Sequence, residues 1–107
     1  MALKPWALPS VTANTVTDFV VPTATLEVAI IGLIVCNTST VDSADVTVTL
    51  TTAAGVIKST VLKASLGPGE QVHMDTKVCI AASATPDKLR ALSTLAAVSF
   101  LASGDEG

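Results

Sequence analysis

Polar and apolar residues alternate most regularly between Asp45 and Thr52, where Val46, Val48 and Leu50 are interleaved with Thr47, Thr49 and Thr51. A period of two sends the bulky apolar groups to one side of a strand and the hydroxyls to the other. Ala53-Ala54-Gly55 follows as a hairpin turn, with Gly55 free to take a positive φ, and a return strand runs from Val56 to about Lys63. Upstream, Val11 to Val21 is a Thr/Val-rich strand, interrupted near Asn14 and stopped by Pro22. Thr25 to Cys36 is almost continuously apolar, the pattern of a central strand buried on both faces. Asn37 to Ser43 is rich in turn-forming polar residues, and Leu66-Gly67-Pro68-Gly69-Glu70 is the strongest reversal signal in the chain. Gln71 to Ile80 supplies one or two further short strands, with Val72 and Met74 on one face. In Ala81 to Ser93, Thr85 as N-cap and Pro86 at the first helical position could open a short helical turn. Leu95 to Ala102 closes the chain as a last apolar strand. Short strands separated by turn signals roughly every 8 to 12 residues predict an all-β fold. The expected form is an antiparallel sandwich or barrel of six to eight short strands.

Residues 1–10 do not share this periodicity. They read as an extended N-terminal arm in front of a single domain of residues 11–107, with Trp6 and Leu8 as the only sizeable apolar groups and Pro5 and Pro9 fixing φ beside them. A Trp6 buried in its own domain and a Trp6 anchored in a neighbour's pocket both fit this pattern. Because the prolines remove backbone donors and Trp6 and Leu8 lack local periodic partners, the segment is expected to act as an intermolecular arm through Pro5, Trp6, Leu8 and Pro9.

Composition narrows the function. Of 107 residues, 50% are hydrophobic and 14% charged, the aromatics are two Phe and one Trp, and the net charge is −3. The six basic residues are scattered along the chain, which argues against a nucleic-acid partner, since phosphate backbones call for clustered Lys and Arg. The longest apolar run, Val28 to Cys36, is well short of the ~20 residues of a bilayer-spanning helix, so no membrane role is expected. Pro5 and Pro9 also break the one place where the hydrophobic stretch of a signal peptide could sit. The composition is that of a subunit that covers apolar surface with its neighbours.

Candidate chemistry is sparse. His73, the only histidine, shares a strand face with Gln71 and Asp75, and a His73–Asp75 pair could be a general base with its orienting carboxylate. No nucleophile motif accompanies it, so the polar outer face of a strand is the expected reading. Cys36 and Cys79 lack metal-ligand spacing and read as two small buried apolar groups, with a disulfide between them left open. Asp42, Asp45, Asp75 and Asp87 fall in or near loops without a calcium-loop pattern. No catalytic residue, metal site or cofactor is expected.

Three phrases carry a resemblance. Val35-Cys36-Asn37-Thr38 ends an apolar strand, Val46-Thr47-Val48-Thr49-Leu50 forms the next, and Leu66-Gly67-Pro68-Gly69-Glu70 precedes a paired strand. Together with the ending Ser99-Phe100-Leu101-Ala102-Ser103-Gly104-Asp105-Glu106, they resemble small all-β virion structural proteins of tailed bacteriophages over roughly residues 25–106. The sequence departs from that pattern at Ser83-Ala84-Thr85-Pro86-Asp87-Lys88, where many such proteins have a Gly-Asp turn. The resemblance implies a non-enzymatic component of the virion, present in many symmetric copies. Its expected partners are copies of itself and other virion proteins, the major capsid protein or tail proteins. Capsid decoration or cement is the leading placement and a tail, neck or baseplate component the alternative. A secreted immunoglobulin-like binding module is a further alternative.

Overall fold

The computed structural model describes residues 2–75 and 77–107. Among these residues there is no helix, and nine strands form two antiparallel sheets packed as a sandwich. The strands are β1 (Ala2–Leu8), β2 (Thr17–Val20), β3 (Val28–Asn37), β4 (Ala44–Thr51), β5 (Ile57–Leu66), β6 (Gln71–Met74), β7 (Val78–Ile80), β8 (Lys88–Ser93) and β9 (Val98–Glu106). The first sheet has the order β1-β9-β3-β6, with β7 continuing the line of β6 along β3, and the second has the order β2-β8-β4-β5.

Alternation accounts for the core. Ile30, Leu33 and Val35 of β3 and Val98, Phe100 and Ala102 of β9 point inward from the first sheet. Val46 and Val48 of β4 and Leu89 and Ala91 of β8 meet them from the second. Leu50 packs against this core at its margin, so the inward Val46-Val48-Leu50 register read from the sequence is present. Phe19 of β2 and Phe100 of β9 lie with ring centroids 5.8 Å apart at a tilt of 59°, an arrangement that aromatic quadrupoles favour, and join the two sheets.

Both glycine turns form as expected: Gly55 (φ 92°) closes the β4–β5 hairpin by donating to the Thr52 carbonyl, and Gly69 (φ 73°) completes the reversal before β6. Three expectations are corrected. The Thr/Val-rich segment is a strand only over Thr17–Val20, because Asn14 (φ 59°) turns the chain in the left-handed region. The segment with Thr85 and Pro86 opens no helical turn. It leads into β8, whose Leu89, Ala91 and Ser93 point inward while Lys88, Arg90 and Leu92 point outward between two partner strands.

The third correction concerns the N-terminal arm. Ala2–Leu8 is the edge strand of the first sheet, paired with β9 without a register shift from Ala2↔Glu106 to Leu8↔Phe100. Trp6 is only 8% exposed and belongs to the chain's own core, opposite Ala102. The segment lacks periodicity in sequence because its pattern is completed by β9, almost a hundred residues away: Trp6 faces in, while Leu3, Pro5 and Ala7 face out.

Candidate functional site

The described residues present two broad outer faces and the edges of two sheets. At the edges, each strand carries a feature that hinders further pairing. The β1–β9 pairing runs unbroken through Pro5, which requires the ring nitrogen to lie on the unpaired side, so one outward donor is missing. β2 is four residues long and bulged at Phe19, between the pairs Asp18↔Arg90 and Val20↔Leu89. β6 and β7 are short and separate. β5 is long, but Val61 and Lys58 are extra residues against β4 and twist that edge out of line. Of the residues expected to make intermolecular contact, Pro5 and Pro9 are exposed at the β1 edge, Leu8 is half-buried against the core and Trp6 is turned inward.

The outer face of the second sheet mixes hydroxyls and charges with a few apolar groups. Thr47 and Thr49 of β4, with Thr51 buried at the end of the row, share it with Lys88, Arg90 and Leu92 of β8 and with Thr60 and Lys63 of β5. Val16, Ile57 and Gly55 close its rim, leaving a hollow of about 280 Å³. Asp18 accepts ion pairs from Lys88 (3.1 Å) and from Arg90 Nε (3.0 Å), although the Arg90 N–H is not aimed along the latter. Lys58 and Asp87 pair at 2.7 Å beside it.

The outer face of the first sheet carries fewer charges. Leu3, Pro5 and Ala7 of β1, Leu101 of β9, and Ala29, Ile31, Ile34 and Cys36 of β3 all point outward, with Ser99 and Ser103 of β9 and Gln71 of β6 among them, and Asp105 is the only formal charge at an outward strand position among the described residues. Leu3 is 81% exposed, Ile31 49% and Leu101 38%. Ile31 is the extra residue of a bulge between the pairs Ile30↔Gly104 and Gly32↔Ser103, so it protrudes from the sheet. β3 is therefore not buried on both faces as its continuous apolar run suggested: one side packs into the core and the other faces outward.

His73 sits on this same outer face, in register with Ile34. Its side chain is exposed, and no hydrogen bond joins it to Asp75 among the described residues. Cys36 and Cys79 are free thiols, half-buried and exposed respectively, which corrects the expectation of two buried groups. Cys36 lies opposite Gln71 and Cys79 opposite Ala29, seven positions apart along β3, or roughly 23 Å at the rise of a strand, so no disulfide joins them within one chain. No cluster of three or more metal-ligating side chains occurs among the described residues.

At the rim of this sheet, Glu106 accepts the Thr23 backbone N–H at 2.8 Å and the Lys4 ammonium at 3.0 Å. These two donors, the backbone one foremost, hold its carboxyl below the ordinary value of 4.5. Lys4 also lies 5.4 Å from the Trp6 ring centroid.

A residue that sequence reasoning treated only as part of a turn is Asn37. It is fully buried: its Nδ2 donates to the carbonyls of Asp42 (2.8 Å), Leu66 (3.1 Å) and Gly67 (3.2 Å), and its Oδ1 accepts from Ser39 N (3.0 Å). It ties the β3–β4 loop to the β5–β6 turn. A polar residue ending an apolar strand and beginning a turn is the available signal.

Comparison with protein-family models finds none that matches, and neither curated proteins nor solved structures provide a match.

Proposed function

We propose that this protein is a non-enzymatic structural component of a tailed-phage virion, placed in many copies on the capsid as a decoration or cement protein. The observation that carries the reading is the outer face of the first sheet, where Leu, Ile, Ala and Cys of β1, β3 and β9 point outward among a few serines and Asp105 is the one formal charge at a strand position among the described residues. Contiguous apolar surface of this kind is a liability on an isolated monomer and an asset where neighbours cover it. The resemblance of the strand and turn phrases to small virion proteins gives the setting, and the hindered edges favour faces over strand addition as the means of contact.

A tail, neck or baseplate position keeps the same chemistry and is the alternative. The test is mass spectrometry of purified particles of the encoding phage, combined with gold-labelled antibody. The expected result is a stoichiometric, multi-copy protein labelled over the head. Label confined to the tail would select the alternative, and absence from purified particles would overturn both.

A further inference from the structure

We propose that the outer face of the β1-β9-β3-β6 sheet is covered by the same face of a second copy of this chain, the two packed about a two-fold axis. The inference rests on the structural reading above for its expectation of repeated copies, and it names the first partner as self.

Charge is the first argument. The chain carries nine acids and six bases, yet only Asp105 of them occupies an outward strand position on this face among the described residues. Asp75, just past β6, adds a second carboxylate at the hollow, and two such faces still meet with few ions to desolvate. Interfaces with different partners lean on complementary charge for specificity, whereas homodimer interfaces are the more apolar class.

Shape is the second. An isologous contact requires one patch to carry both a protrusion and a receptacle for it. Ile31 is thrust outward by the β3 bulge. At its foot, Gly32, Ser103, Ile34 and Leu101 frame a hollow of about 280 Å³, with His73 and Asp75 at its polar end. A Cβ at position 32 would stand 3.1 Å from Ser103 Oγ, so glycine keeps the floor of that hollow low. A branched aliphatic side chain from the facing copy has room to enter it.

Area is the third. Four strands at ~4.8 Å spacing and about nine residues at ~3.3 Å rise give a projected face of roughly 600 Å² per copy, or about 1,200 Å² for the pair. That reaches the lower bound for a specific interface, the size class of weak and transient contacts, so the dimer is sought in the micromolar range.

Sedimentation equilibrium of the full chain tests this, with Ile31→Glu and Leu101→Lys as interface variants and Thr49→Lys as a control on the opposite face. Expected are a wild-type dimer dissociating in the micromolar range, a loss of at least about tenfold in dimer affinity for either interface variant, and no loss for the control. Both interface positions are exposed, so thermal melts should show folded variants, and two positions on different strands guard against one failing to fold. A wild-type chain that stays monomeric through the micromolar range would overturn the proposal. So would an assembly that both interface variants leave intact, or one that only Thr49→Lys dissolves. A monomer that still occurs in purified particles would sink the self-contact and leave the virion role standing. A dimer absent from particles would do the reverse.

Discussion

The two sheets of this sandwich are built alike and finished differently. Each has four strands across, packs Val, Leu, Ile and Ala inward by period-two alternation and ends in hindered edges. Outward, the second sheet carries threonine hydroxyls and paired ions, Lys88 and Arg90 on Asp18, whereas the first carries Leu3, Ile31, Ile34 and Leu101. The inner faces follow from the need to bury apolar area, which any sandwich shares. The outer faces are free to differ, and the proposed self-contact rests on that difference.

The largest test of the comparison lies within β3, where the two environments alternate. Leu33 faces the core and Ile31 faces outward. Leu33→Ala should cost about 2–5 kcal/mol in chemical denaturation, through lost transfer energy and the cavity left behind. Ile31→Ala, measured at concentrations where the chain is monomeric, should change stability by less than ~0.5 kcal/mol. Equal losses at both positions would mean that the outer face is covered within the monomer, and the contrast between the sheets would collapse.

The same contrast explains what the sequence could and could not reveal. The Asp45–Thr52 register was legible because its outward positions are threonines, which make the alternation visible. In Thr25–Cys36 the outward positions are themselves Ala, Ile and Cys, so one-sided burial with an apolar outer face has the same appearance as burial on both sides. Burial depends on what lies beyond the sheet, which a single strand's pattern does not encode. The N-terminal strand was missed for a related reason: Trp6 and Leu8 find their partners Ala102 and Phe100 only through long-range pairing. Prolines at positions 5 and 9 look like signs of irregular structure until Pro5 is placed at a sheet edge, where its missing donor costs nothing. Gly104 was legible as part of a terminal phrase but not in its role. It lies against the β3 bulge, where a Cβ would run into the Ala29 carbonyl oxygen.

A smaller effect is expected where the sheets are tied together at one end. Asn37→Ala removes the donor shared by the Asp42, Leu66 and Gly67 carbonyls, and leaving buried acceptors unpaired should cost about 1–3 kcal/mol. Amide hydrogen exchange should show the accompanying loss of protection in residues 38–43 and 66–70, with the β2–β8 pair of strands unaffected. Uniform loss across the molecule would show that Asn37 supports the core rather than this junction.

Ion pairing offers a third comparison. Glu106 at the rim of the first sheet has a side chain only 9% exposed and two donors, whereas Asp87 on the second sheet meets Lys58 in the open. Because folding lowers the Glu106 pKa below 4.5, its stabilisation is fully present above that value and is lost as pH falls through the lowered one. Melting temperature should therefore drop on acidification below about pH 4.5. In Glu106→Gln the part of that drop due to this group should vanish. Asp87→Asn, which breaks an exposed pair, should change stability by no more than about 0–1 kcal/mol. An unaltered acid transition in Glu106→Gln would remove the rim contact from the account.

The smallest expected effect tests whether hydroxyls or charges keep the second sheet bare. Thr47→Val with Thr49→Val exchanges two outward hydroxyls for methyl groups of nearly the same shape on β-branched side chains, so strand preference is retained and stability should move by less than ~0.5 kcal/mol. It makes the centre of the polar face chemically similar to the apolar one while leaving Lys63, Lys88, Arg90 and Asp18 in place around it. If charge is what prevents association, the double variant should sediment as the wild-type chain does, because a second copy docking there would still have to desolvate these ions. Adding Arg90→Leu would then be the step that opens a second association surface. Should the double valine variant alone produce higher oligomers, the hydroxyls are the determinant, and the difference between the two faces rests on two oxygen atoms rather than on the ion pairs that flank them.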